Sequence, residues 1–323
     1  MLDIGQKGSN KVRLVIICGP TASGKTRMGI ELAQQVNAEI LCADSRQVYL
    51  GMDIGTAKPS REEQKLVKHH CIDLVYPDED FSAAEFKIRA EQVIEGLTKE
   101  GKNAIIVGGT GLYIKALTKG LFDGAGKAPK LRDSLKKELE DYGEQDMYRK
   151  LADIDPVTAS RLHPHDSFRV RRALEVYSLT GRRISALQRE HGFSGNSYEV
   201  LKIGLTVERE ELYRRIEQRV EEMLRKGLVE EVQSLLNRGY NETLPSMKGL
   251  GYKEILGYLR KKYDLKEAVS LIKRNTKRYA KRQLTWFKGD GEVLWLEPDR
   301  KREKIFEKVK DFSPSTGSGQ VIK

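Results

Sequence analysis

The stretch VIICGPTASGKT, residues 15–26, carries the decision about the fold. An apolar run suited to a buried strand ends in Gly19, and Gly24-Lys25-Thr26 closes a G-x-x-x-x-G-K-T loop. The following RMGIELAQQV places Met28, Leu32 and Val36 on one side of a helix. A glycine-rich turn between strand and helix surrounds a phosphate chain with backbone N–H groups at the positive end of the helix dipole. Lys25 adds a point charge, and the Thr26 hydroxyl is the group such loops use to hold magnesium. The loop Gly19, Pro20, Thr21, Ala22, Ser23, Gly24, Lys25 and Thr26 is therefore expected to bind a diphosphate, and the motif does not require a nucleoside triphosphate.

Outward from this loop, apolar runs alternate with helical periods. Strands are predicted over 12–18, over 39–42 running into Ala43-Asp44-Ser45-Arg46-Gln47, over 71–75, and over 104–107 running into Gly108-Gly109-Thr110-Gly111. The alternation predicts an α/β fold, a P-loop NTPase-like parallel sheet flanked by helices, with ligands at the carboxyl ends of the strands. Near Gly120 the pattern breaks. GLFDGAGKAP (120–129) is glycine-rich, the residues up to about 191 are charged and helical in period, and GFSGNS (192–197) precedes another strand-like run, YEVLKIGLTV. The expected organisation is a core of 1–122 and 198–310, an all-helical insertion domain at 123–197 on two flexible joints, and a disordered polar tail at 311–323. The alternative, a separate C-terminal domain from 123, predicts no sheet strand after 198. Helices with apolar faces at Leu212, Ile216, Val220 and Met223, and at Val229, Val232 and Leu236, are expected to stop near Gly227 and Gly239.

A chain of 323 residues with 39% hydrophobic content supports two packed domains. No apolar run approaches the roughly 20 residues of a membrane span, and MLDIGQKGSNK lacks the apolar core of a signal peptide, so the cytoplasm is the expected location and no membrane partner is expected. Cys18, Cys42 and Cys71 lack metal-site spacing and read as reduced core thiols. The 58 basic against 47 acidic residues leave +11, an excess suited to a polyanionic partner if it is concentrated. It is: residues 260–288 hold eleven Lys and Arg against Asp264 and Glu267. Lys273, Lys277 and Lys281 form one helical row and Arg274, Arg278 and Arg282 the next, a band that cannot pair within itself, which favours phosphate contact.

Other candidates carry alternatives. Asp44 ends a strand beside the loop and suits a magnesium ligand, a general base, or a turn acid. Gly108-Gly109-Thr110-Gly111 suits close approach of a ligand or simply a tight strand-to-helix turn. Asp166-Ser167 caps a helix with a stripe of Val170, Ala173, Leu174 and Tyr177, leaving Arg169 and Arg172 off the stripe, on a solvated face or a binding one. Trp286-Phe287 reads as core before it reads as a stacking platform.

GPTASGKT (19–26), ADSRQVY (43–49), MDIGTAKP (52–59), His69-His70 before Ile72-Asp73, VGGTGLY (107–113), RALEVY (172–177), RIEQRV (215–220), KGLGYKE (248–254) and AKRQLTWFK (280–288) together resemble the bacterial tRNA dimethylallyltransferases. The resemblance runs in unbroken order from the first strand to about residue 300. It implies transfer of a dimethylallyl group from dimethylallyl diphosphate to N6 of the adenosine at tRNA position 37, by a monomer using Mg2+. The loop would then hold a leaving group rather than a nucleotide. By the same resemblance Asp44 is the base, Lys25 binds the diphosphate, and Thr110 and Arg215 bind it from the opposite side. The implied tRNA contacts are Asp44, Ser45, Arg46 and Gln47 at the target base, then Thr110 and Arg132, then Phe168, Arg169, Val170, Arg171 and Arg172. They continue with Met247, Lys248, Gly249, Leu250, Gly251 and Tyr252, and end with Lys281, Arg282, Gln283, Leu284, Thr285, Trp286, Phe287 and Lys288. The rivals are a P-loop kinase or NTPase, a nucleic-acid-binding protein with a vestigial loop, and a prenyltransferase acting on free adenine nucleotides.

Overall fold

The computed structural model describes residues 11–122, 128–193 and 198–313. Most of both expected glycine joints, at 123–127 and 194–197, and the tail from 314 lie outside the described residues. Among the described residues, six strands form one sheet: β1 (Val12–Cys18), β2 (Ala38–Ala43), β3 (His69–His70), β4 (Asn103–Gly108), β5 (Tyr198–Leu205) and β6 (Val293–Leu296). The order is β3-β2-β4-β1-β5-β6 and every pairing is parallel. β1 lies between β4 and β5, with Ile16 opposite Ile106 on one side and Lys202 on the other. Leu14 through Cys18 are all at most 1% exposed, because helices cover both faces of the sheet and no polar face is needed.

One face packs Leu14, Ile16, Leu41 and Ile106 with residues of α3 (Ala83–Lys99), α4 (Gly111–Lys119), α10 (Leu228–Asn237), α11 (Tyr252–Leu259) and α12 (Leu265–Lys288). The other packs Val15, Ile17, Ile40 and Ile105 under α1 (Lys25–Gln35) and α13 (Arg302–Phe312), with the short α2 (Arg61–Leu66) against α1. Each such buried aliphatic side chain contributes about 1.5–3 kcal/mol. α9 (Arg209–Arg225) buries Leu212, Ile216 and Val220, and Gly227 takes a φ of 94° at the start of α10.

Two expectations change, and one alternative falls. The strand expected at 71–75 is instead the two-residue β3 at His69–His70, since Cys71 and Asp73 take φ of 62° and 51° and cannot continue a strand. Strands β5 and β6 lie in the sheet after residue 198, which excludes the alternative of a separate C-terminal domain. The tail does not begin at 311: α13 runs through Asp311 and Phe312, because Ile305, Val309 and Phe312 pack on the sheet.

Contacts divide the chain into two compact units, Met1–Thr118 with Ser197–Lys323, and Lys119–Asn196. The second contains α5 (Pro129–Ile154, broken at Gly143), α6 (Pro156–Ala159), α7 (Ser167–Thr180) and α8 (Ile184–His191). Asp166 caps α7 by accepting the Arg169 N–H, and Val170, Ala173 and Leu174 enter a core of the unit's own with Leu135, Met147 and Leu151. Asp155 is 1% exposed there; burial would raise its pKa, but donation from Ser185 and Thr158 holds it below its ordinary value. No helix among the described residues is long and apolar enough to cross a membrane.

Candidate functional site

A cavity of about 500 Å³ opens at the carboxyl ends of β1, β2 and β4, lined by Thr21, Ala22, Gly24, Lys25 and Thr26 of the phosphate loop. Gly19 turns the chain out of β1 at a φ of 137°, and a Cβ there would lie 2.8 Å from the Leu205 carbonyl oxygen, so only glycine fits. Lys25 Nζ donates to the Pro20 carbonyl oxygen at 2.6 Å, folded back into its own loop. Burial, and then the charge of Arg219, lower its pKa to about 8, while Asp44 acts to raise it. Ser23 lies wholly beneath the loop and does not line the cavity.

The loop after β2 brings Asp44, Ser45, Arg46 and Gln47 to the same cavity. Asp44 Oδ1 accepts the Arg46 N–H at 2.8 Å, which fixes the carboxylate and leaves its other oxygen for the cavity. This is the turn-acid geometry, and it is also what a positioned base requires. Gln47 Nε2 donates to the Thr56 and Ala57 carbonyls at 3.3 and 3.1 Å. Thr110 accepts the Ser45 N–H at 3.0 Å, tying the turn after β4 to the Asp44 loop; it is not among the residues lining the cavity. The glycines of that turn serve the protein's own packing: a Cβ at Gly108 would meet the Ala43 carbonyl oxygen at 2.1 Å, and one at Gly111 would meet Trp286 Nε1 at 1.9 Å.

Arg215 does not reach the diphosphate loop. Its guanidinium is held by Glu211 at 2.6 Å and Asp299 at 2.7 Å, away from the cavity lining. One helical turn on, Arg219 lines the cavity and donates to the Thr21 hydroxyl at 3.1 Å. Burial lowers its pKa, with Glu222 and Asp44 opposing. The signal was in RIEQRV, where the two arginines stand at i and i+4, but only the acids around α9 decide which is free. His69 also lines the cavity: the Val67 carbonyl lies 2.8 Å from Nδ1 and places the proton there, burial lowers the pKa, and buried Nε2 is left as an acceptor without a partner.

Lys248, Gly249, Leu250, Gly251 and Tyr252 line the opposite wall with Arg282 and Gln283, whereas Met247 is buried in the core. Gln283 is 6% exposed; Oε1 accepts the Thr21 N–H at 2.8 Å and Nε2 donates to the Gly109 carbonyl at 3.0 Å, joining two site loops. Phe287 is core and Leu284 half-buried, while Lys281, Thr285, Trp286 and Lys288 are exposed. The expected double row is not uniformly open. Lys273 and Lys277 pair with Glu221 at 2.9 Å and Glu217 at 2.5 Å of α9, acids that come from a neighbouring helix. Arg274, Arg278 and Arg282 are exposed with no ion pair among the described residues.

In the helical unit Val170 is core, and Phe168 is 74% exposed. Glu175, itself buried, holds both Arg132 at 2.6 Å and Arg172 at 2.8 Å; Arg169 pairs with Asp166, and Arg171 donates to the Ser167 carbonyl. Cys18, Cys42 and Cys71 are free and buried, and burial raises all three thiols, Cys18 and Cys71 to about 12.

A lysine and an arginine at a phosphate-type loop, facing a fixed carboxylate in one cavity, suit an anionic leaving group and a proton acceptor. Comparison with known proteins agrees with that chemistry. The family model described as IPP transferase matches residues 47–290. A tRNA dimethylallyltransferase of Geobacter metallireducens is 50% identical over 306 residues, spanning 95% of this chain and 99% of its own. The full-length tRNA isopentenylpyrophosphate transferase of Bacillus halodurans superposes with a TM-score of 0.70 at 40% identity, over 94% of this chain and 97% of its own. A eukaryotic dimethylallyltransferase acting on tRNA gives 0.78 at 28% identity, over 93% and 78%. With a cavity of this chemistry and matches spanning nearly its whole length, the chain belongs to the IPP transferase family.

Proposed function

We propose that this chain transfers a dimethylallyl group from dimethylallyl diphosphate to N6 of the adenosine at tRNA position 37. The observation that carries it is the convergence of Lys25, Arg219 and Asp44 on one cavity. The P-loop amides, Lys25 and Arg219 receive the diphosphate, on which charge grows as the allylic C–O bond breaks. The N6 nitrogen forms the new bond to that carbon, and its proton passes to Asp44. An exocyclic adenine amine is a weak nucleophile, so a carboxylate held by the Arg46 amide has a defined task.

Magnesium bound mainly through phosphate oxygens and waters needs only one or two protein oxygens, and the Thr26 hydroxyl at the cavity wall fits that need. When bound there it would add Lewis-acid stabilisation to the leaving diphosphate. The exposed arginines of α12 supply phosphate contacts for the tRNA; in the helical unit, taken by itself, exposed Phe168 and Arg169 offer a stacking and a phosphate contact. A flipped base is required, because position 37 is stacked within the anticodon loop. One chain supplies every group named, so a monomer suffices.

The test is incubation with unmodified tRNA and dimethylallyl diphosphate followed by nucleoside analysis. N6-(dimethylallyl)adenosine at position 37 is expected, and AMP offered in place of tRNA is expected to be a poor acceptor. Asp44→Asn is expected to reduce kcat by about 100-fold or more with diphosphate affinity nearly intact. Near-normal turnover in that variant removes the base.

A further inference from the structure

Glu231 lies on α10, outside every motif that drew attention to the site, and its carboxylate collects four donors. Oε2 accepts the N–H groups of Asp53 at 2.9 Å and Ile54 at 2.7 Å; Oε1 accepts the Gly55 N–H at 3.0 Å and the Tyr252 hydroxyl at 2.6 Å. Three consecutive backbone amides converging on one anion form a nest, and the bound anion here is a side chain of the protein. The helix beneath is anchored by Leu228, Val232 and Leu235 in the core, so the carboxylate is a fixed post.

The consequence reaches the cavity through Gln47. The loop that Glu231 holds presents the Thr56 and Ala57 carbonyls to Gln47 Nε2. Both partners are acceptors, so the Gln47 amide nitrogen is committed to them and its oxygen is left as the acceptor for an incoming base. Tyr252, 1% exposed, completes the anchor: its hydroxyl is held by Glu231, and its ring packs on Gly55 so closely that a Cβ there would lie 2.5 Å from it.

We propose that Glu231 is a positioning residue for acceptor recognition: by ordering the 53–57 loop it orients the Gln47 amide toward the target adenine, without serving the diphosphate. This rests on the function proposed above. The residues that hold the diphosphate loop in place, Gln283 and Arg219, make no bond to Glu231.

The experiment uses the full chain with Glu231→Gln, Gln47→Ala and the double variant. An amide at 231 turns an NH2 group toward amide N–H donors and cannot fill the nest. kcat/KM for tRNA is expected to fall by about tenfold or more in Glu231→Gln, while the Kd for dimethylallyl thiodiphosphate stays within about twofold. The double variant is expected to be no worse than Gln47→Ala alone, because Glu231 acts through that residue. Additive losses, equal weakening of both substrates, or unchanged tRNA kinetics overturn the proposal. If Glu231→Gln does not accumulate folded, Glu231→Asp, which withdraws the carboxylate by one methylene, carries the same cycle and the same outcomes. Absence of transfer to tRNA by the unsubstituted protein would instead overturn the proposed function, which separates the two failures.

Discussion

At the scale of single residues, the cavity is governed by which charges are already engaged. Lys25 is folded onto Pro20, with its pKa lowered to about 8 by burial and Arg219. Below that value the folded protein carries a buried ammonium that the unfolded chain keeps in water, a penalty relieved as pH rises from about 8 toward the ordinary lysine value. A bound diphosphate favours the charged form and opposes the shift. Affinity for dimethylallyl diphosphate is therefore expected to fall as pH rises above about 8, with proton uptake on binding in that range and none well below it, and Lys25→Arg to remove this dependence. Calorimetric titration in buffers of different ionisation enthalpy measures both. Arg219→Ala is expected to weaken diphosphate binding by about tenfold or more, and Arg215→Ala by about twofold at most, since Glu211 and Asp299 occupy that guanidinium. Competition binding against a labelled prenyl diphosphate distinguishes them. The phosphate loop and the strand-end position of Asp44 were legible because their chemistry is local, a turn and a strand end, whereas the 248–252 wall was implied only by the resemblance of KGLGYKE. The choice of Arg219 over Arg215 was not, because Asp299 lies 84 residues away in sequence.

At the scale of elements, α12 has two kinds of cation. Lys273 and Lys277 face α9 and are paired with Glu221 and Glu217, whereas Arg274, Arg278 and Arg282 remain exposed. Removing the three arginines is expected to lower the salt dependence of tRNA binding by about one unit of log–log slope per lost phosphate contact. Removing Lys273 and Lys277 is expected to change it by less than about half a unit in total, because their charge is already neutralised. Filter binding between about 50 and 200 mM salt separates the two rows. The helix period showed both rows in the sequence, but the acids that neutralise two lysines of one row belong to another helix. The same distinction applies to GGTG: the glycines were visible, and the strand at 2.1 Å that requires the first of them was not.

At the scale of the whole molecule, the division into two units follows the burial of apolar surface. The helical unit packs Leu135, Met147, Leu151, Val170 and Leu174 entirely among its own residues. Residues 119–196 expressed alone are therefore expected to fold, giving a helical circular-dichroism spectrum with a cooperative thermal transition; a non-cooperative melt would show that the core is not self-sufficient. By itself the sequence determined the α/β class, the phosphate loop, four of the six strand positions, the helical character of the second unit and the reaction implied by its motifs. Each of these depends on periodicity or turn chemistry within a short window. Only the tertiary structure decided that Arg219 lines the cavity, that two of the six cations of the basic band are paired with acids of α9, that β3 stops at His70, and that Glu231 binds the amides of residues 53–55. Those outcomes depend on which charges and backbone amides meet across large sequence separations, and the pairing of such groups is fixed only when the core has closed around the sheet.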